Sequence, residues 1–180
     1  MALELTRRGA LGAAALAVAS CSGGDDPPPG GPGPGSGAGV LGSVLAFEHA
    51  VTAAYGYCEG VLRGEALRFV RLIRDEERRH AEHLAGLIRE LGGEPPTGRR
   101  SEDYERSFPR LRSAADALRF AEDLEERQVR ACLDALTDLP DPDLRSAVAE
   151  IGASEGAHLA VVHLLRGEPA SPDPFVTGAL

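Results

Sequence analysis

Apolar residues recur along this chain in steps of three and four, in four separate stretches. The first reads Leu41, Val44, Glu48, Val51, Tyr55, Cys58 and Leu62, and the second Val70, Ile73, Glu77, His80, Leu84, Leu87 and Leu91. The third runs Ala114, Leu118, Ala121, Glu125, Val129, Cys132 and Leu136, and the fourth Leu144, Val148, Ile151, Glu155, His158, Val162 and Leu165. Residues three and four apart share one face of a helix, so each stretch describes the buried seam of an amphipathic helix. The pattern predicts an all-α four-helix bundle with helices over about 40–63, 65–91, 113–137 and 143–166. Turn residues agree: Arg63-Gly64 and Pro140 fall at the tips of two hairpins, and Gly92-Gly93 stops the second helix. Ser113 with Asp116 forms a capping-box variant, and Asp141-Pro142 precedes the fourth helix.

Only glutamates and histidines break the apolar character of the seams, and their spacing repeats. Glu77 and His80, like Glu155 and His158, form Glu-x-x-His, which aims a carboxylate and an imidazole at one point. Glu48 to Glu125 is 77 residues, and Glu77 to Glu155 and His80 to His158 are each 78, so one helical hairpin occurs twice. Each glutamate lies about 15 residues from its hairpin tip, roughly 22 Å at 1.5 Å per residue, which places six side chains in one layer. Four carboxylates withdrawn from water each cost several kcal/mol unless paired, and no arginine occupies the seams. Two divalent cations with two neutral imidazoles bring the layer to zero charge. Glu76, Glu82, Glu122 and Glu126 fall off the seam and are expected to be solvated.

Glu48, Glu125 and the paired Glu-x-x-His motifs resemble the ligand scheme of the ferritin-like di-iron carboxylate superfamily, over about residues 40–166. The resemblance implies a ferritin-like four-helix bundle of two antiparallel hairpins joined by a long crossover. It further implies that Glu77 and Glu155 bridge two metals, that Glu48 and His80 complete one, and that Glu125 and His158 complete the other. Residues 92–112 supply the crossover: about 20 residues can span about 66 Å, against roughly 40 Å of bundle length. By the same resemblance, helices one and three run antiparallel, which separates Cys58 from Cys132 by about 25 Å and leaves both as thiols.

Residues 1–20 carry Arg7-Arg8 ahead of a mild apolar run, the layout of an export signal resembling the twin-arginine type. Such signals move folded proteins, so metal would be loaded before export. Val18-Ala19-Ser20-Cys21 resembles a lipobox, making Cys21 the expected lipidated N-terminus on the outer face of the cytoplasmic membrane; a secreted soluble form is the alternative. Residues 21–39 are a Gly/Pro-rich tether without apolar content to offset chain entropy, and 167–180 form an extended tail. The net charge of −9, one unit more negative after signal removal, argues against nucleic-acid partners, and the lipid is the only expected membrane contact. The absence of Cys-x-x-Cys excludes a rubredoxin-like iron centre. A homo-oligomer is compatible with this chain, whereas a cage is not expected because no short fifth helix is legible near the end.

Carboxylate and imidazole donors suit iron, with manganese as the alternative, better than zinc. The expected cofactor is two Fe ions, and the expected chemistry is oxidation of ferrous iron or reduction of O₂ or peroxide. A metal-binding or stress-related scaffold without turnover and a di-manganese, catalase-like site are the alternatives. Tyr55, two turns from Glu48, is a candidate for a redox role or for a hydrogen bond to a ligand. His49, His83 and His163 sit beside the seams, where surface or boundary positions are expected.

Overall fold

The computed structural model describes Gly33, residues 35–172 and residues 177–178. The expected signal, Cys21 and most of the expected tether lie outside the described residues. Among the described residues there are five helices: α1 Gly37–Cys58, α2 Gly64–Glu90, α3 Ser101–Glu105, α4 Ala114–Asp138 and α5 Pro142–Arg166. There is no strand among the described residues, and the four long helices match the four predicted seams. α1 pairs with α2 and α4 with α5 as hairpins, while α1 also lies against α4 and α2 against α5.

Local chemistry sets the helix ends. Ser36 Oγ accepts from the Gly39 amide at 3.2 Å, Ser113 Oγ from Asp116 at 3.2 Å, and Asp141 Oδ1 from Asp143 at 2.8 Å. Pro142 occupies the first helical position of α5, where its missing N–H is no loss. At the other ends Gly92 and Gly167 adopt φ of 74° and 79°, which a side chain would oppose.

α1 begins three residues inside the stretch expected to be tether, and it ends at Cys58 rather than near residue 63. Helix propensity argues against Gly37 and Gly39, but packing overrides it. A Cβ on Gly37 would stand 3.0 Å from Leu144 Cδ1, and one on Gly93 would stand 3.2 Å from Ala38 Cβ, so glycine lets these backbones close together. The crossover holds a short helix that the periodicity did not show. Tyr104 of α3 is buried, its hydroxyl accepts from the Arg99 amide at 3.1 Å, and the Arg99 guanidinium covers its ring at 4.6 Å.

The core is divided in two along the bundle axis. One cluster joins the start of α1 (Leu41, Leu45), the end of α2 (Leu84, Ile88), the end of α4 (Cys132, Ala135) and the start of α5 (Val148, Ile151). The other joins the end of α1 (Val51, Cys58), the start of α2 (Val70, Ile73), the start of α4 (Ala117, Leu124) and the end of α5 (Val162). The start of α1 thus meets the end of α4, so these helices are antiparallel, and Cys58 and Cys132 lie in opposite clusters as free thiols. Each fully buried Leu or Ile contributes roughly 1.5–3 kcal/mol of transfer free energy, and the two apolar layers close the bundle above and below whatever lies between them.

Candidate metal centre

Between the two clusters lie Glu48 from α1, Glu77 from α2, Glu125 and Gln128 from α4, and Glu155 and His158 from α5, all buried. His80 of α2 completes the layer with its side chain 15% exposed. All six seam residues are brought together. Donor atoms of Glu48, Glu77, His80 and Glu155 lie within 4.8 Å of one another, and so do those of Glu77, Glu125, Glu155 and His158. Glu77 and Glu155 belong to both groups. His158 Nδ1 is 3.0 Å from carboxylate oxygens of Glu77 and Glu155 and 3.7 Å from Glu125 Oε2. His80 Nδ1 is 3.0 Å from Glu155 Oε1, and the two imidazole centroids are 6.0 Å apart.

Burial and mutual repulsion distort the acid–base behaviour of this layer. Burial, followed by the neighbouring Glu77, pushes the Glu48 carboxyl well above its ordinary range. Glu125 is pushed up to about 8, by burial and by Glu77 and Glu155 against the opposing pull of His158. Burial alone would lower the His80 imidazolium, but Glu155 and Glu77 outweigh it and hold it up at about 9. The same competition raises His158 further, while its contact and that of His80 outweigh burial and keep Glu77 ionised.

Outer contacts hold the inward groups. The Tyr55 hydroxyl, fully buried, donates to Glu125 Oε1, and burial and that carboxylate raise its pKa well above the ordinary tyrosine range. The Tyr55 hydroxyl is thus satisfied by one of the inward carboxylates. Gln128 Nε2 donates to Glu48 Oε2 at 3.1 Å and to Glu77 Oε2 at 3.0 Å. The seam reading missed Gln128, though its +3 offset from Glu125 is the offset at which both histidines stand.

Three expectations need correction. Glu76 is not simply solvated: its Oε2 lies 2.8 Å from His158 Nε2, because the crossing of α2 over α5 brings a position flanking one seam against the next. Glu122 is half-buried and His163 is buried, their side chains 3.2 Å apart. Arg166 pairs with Glu122 and, at 2.9 Å, with Glu168, while His163 Nδ1–H donates to the Ala170 carbonyl at 3.2 Å. Although Glu122, His163 and Glu168 approach one another closely, Arg166 already supplies their counter-charge, and the group ties the C-terminal segment to α4 and α5. Glu82 and His83 are exposed as expected; His49 is half-buried, its Nε2 3.3 Å from the Pro96 carbonyl.

The inner layer fits metal ions on its own evidence. Glu77 Oε1, Glu125 Oε2, Glu155 Oε1 and His80 Nδ1 are buried without a hydrogen bond, although His80 Nδ1 lies at ion-pair distance from Glu155. Four buried carboxylates converging on two imidazoles, with carboxylate oxygens left without a hydrogen bond, are costly in any fold, and cations at their centre would satisfy them together. Fold and layer define a four-helix carboxylate bundle, with one Glu from each of α1 and α4 and Glu-x-x-His from each of α2 and α5.

The chain belongs to the ferritin-like domain family, whose sequence model matches residues 36–168. No curated protein matches it significantly. Among solved structures it is similar to a conserved hypothetical protein, rv2844, from Mycobacterium tuberculosis, with a TM-score of 0.65 and 18% identity over 74% of this chain and 98% of that one. At that identity the likeness speaks for the fold.

Proposed function

We propose that this is a di-metal carboxylate protein, with iron as the resident pair, that oxidises ferrous iron or reduces O₂ or peroxide. The observation carrying this reading is that two four-donor groups share Glu77 and Glu155, so these two carboxylates would serve both of two adjacent cations. Glu48 and His80 would complete one position, and Glu125 and His158 the other. Two adjacent ions that each change oxidation state supply two electrons to O₂ or peroxide without releasing a one-electron product. The chain's own part is positional. Tyr55 orients Glu125 and keeps its proton on the hydroxyl oxygen, Glu76 engages the outer nitrogen of His158, and the apolar layers on either side exclude bulk water. Oxygen and imidazole donors favour Fe or Mn over Zn.

Elemental analysis of the purified chain after anaerobic reconstitution tests the reading, alongside the Glu77→Ala, Glu155→Ala double variant. About two Fe per chain, lost in the variant, is the expected result. Two Mn in place of Fe would move the reaction to peroxide disproportionation, and no bound Fe or Mn would leave a ferritin-like scaffold. Ferrous oxidation followed in the loaded chain then separates an oxidoreductase from a metal-holding protein. For location, we infer export and lipid anchoring at Cys21 on the outer face of the cytoplasmic membrane, supported by the lipobox-like Val18–Cys21 run. Mass spectrometry of the mature N-terminus should find a diacylglyceryl group on Cys21, and an unmodified N-terminus would refute the anchor.

A further inference from the structure

A seventh polar side chain stands in the centre, outside the Glu and Glu-x-x-His pattern. Resting on the metal-binding reading above, we propose that Gln128 is a positioning residue for one of the two metal positions, the one formed by Glu48, Glu77, His80 and Glu155. Gln128 is 1% exposed, and its amide nitrogen reaches Glu48 and Glu77 at 3.1 and 3.0 Å. Those carboxylates come from α1 and α2, so one side chain of α4 ties the first hairpin to the second across the bundle. Glu48 and Glu77 occur together only in the His80 group, whereas Glu125 and His158 belong to the other.

The type of residue matters. As ligands both Glu48 and Glu77 would be ionised and repel one another, and a neutral amide with two N–H donors holds an oxygen of each while adding no charge of its own. An arginine there would satisfy the same oxygens and also cancel the charge that attracts a cation. The Gln128 carbonyl oxygen is buried without a hydrogen bond, so the hydrogen bonds of the amide group run to the two carboxylates alone. The second position takes its outer support elsewhere: Tyr55 holds Glu125, and Glu76 holds His158. The two positions are therefore unequal, and the one beside the partly exposed His80 is the one that depends on Gln128.

Half-site variants separate the positions. His158→Ala leaves the His80 position competent and His80→Ala leaves the His158 position, and Gln128→Leu is placed in each background. Anaerobic Co(II) titration, followed by visible absorption and equilibrium dialysis, should show affinity falling about tenfold in the His158→Ala background and less than threefold in the His80→Ala background. Gln128→Met, unbranched and close in length, should repeat the split, and thermal melts of the chelated variants show that each still folds. Equal losses in both backgrounds, or none in either, overturn the proposal while the metal-binding reading stands. A parent chain that binds no Co(II) overturns the metal-binding reading itself.

Discussion

Loading the centre with divalent metal should expel protons in a number set by its charges. In the chelated protein, burial and neighbouring carboxylates push Glu48 well above its ordinary range and hold Glu125 at about 8, so both favour the protonated form. His80, held at about 9, and His158, held higher, each carry an additional proton. Four protons spread over four carboxyl groups and two imidazoles make the layer neutral. Two divalent cations bring the same four positive charges, and each ligating atom must give up its proton to offer a lone pair. Close to four protons should therefore leave per two ions near pH 6.5, falling above pH 8 as Glu125 and then His80 titrate without metal. One proton is worth about 1.4 kcal/mol per pH unit, so binding of the pair should strengthen by roughly 5 kcal/mol from pH 6 to 7. Calorimetry with Co(II) or Mn(II) in two buffers of different ionisation enthalpy measures the stoichiometry directly. One proton or fewer per two ions, or an affinity unchanged between pH 6 and 7, would refute the reasoning.

Three further outcomes follow from the same contacts. The His80 imidazolium gains its carboxylate partners on folding, so its stabilisation is complete below about pH 6.5 and lost as pH rises through about 9; the raised Glu125 acts in the same direction from about pH 4.5 to 8. The chelated protein should lose on the order of a few kcal/mol between pH 6 and 9, and a melting midpoint that holds or rises over that range contradicts this. Glu76→Ala should weaken one of the two ions about tenfold in a Co(II) titration, and an equal effect on both would show that it does not act through His158. On α5, Gly156→Ala should stabilise by about 0.5–1 kcal/mol because its Cβ would enter open space, whereas Gly152→Ala should cost about 1–2 kcal/mol because its Cβ would meet Cys132 Cβ at 3.1 Å. Denaturant midpoints of the pair check both signs.

How much of this was readable from the chain alone depends on the range of the interaction concerned. Helix periodicity is local, so the four seams and the inward direction of Glu48, Glu77, His80, Glu125, Glu155 and His158 were written in residue order. Axial height was legible too, because a helix has a constant rise and both hairpins turn at marked positions. Glycine content, by contrast, argued against a helix at Gly37–Gly39, and only the close approach of Leu144 and the Ala38–Gly93 contact explain why one forms there.

The outer contacts of the centre required the tertiary structure. Glu76 meets His158 across 82 positions of chain, Tyr55 meets Glu125 across 70, and Gln128 meets Glu48 across 80, distances over which no local pattern constrains partners. Which flanking residue of one helix faces which neighbour is decided by crossing angle and axial rotation, and these arise from side-chain packing in the two apolar clusters. Residue order alone suffices for a bundle with six inward-facing donors in one layer, because helix period and rise are local properties. Which outer side chain holds each donor follows from the packed helices alone, since Gln128, Tyr55 and Glu76 reach their partners across the bundle.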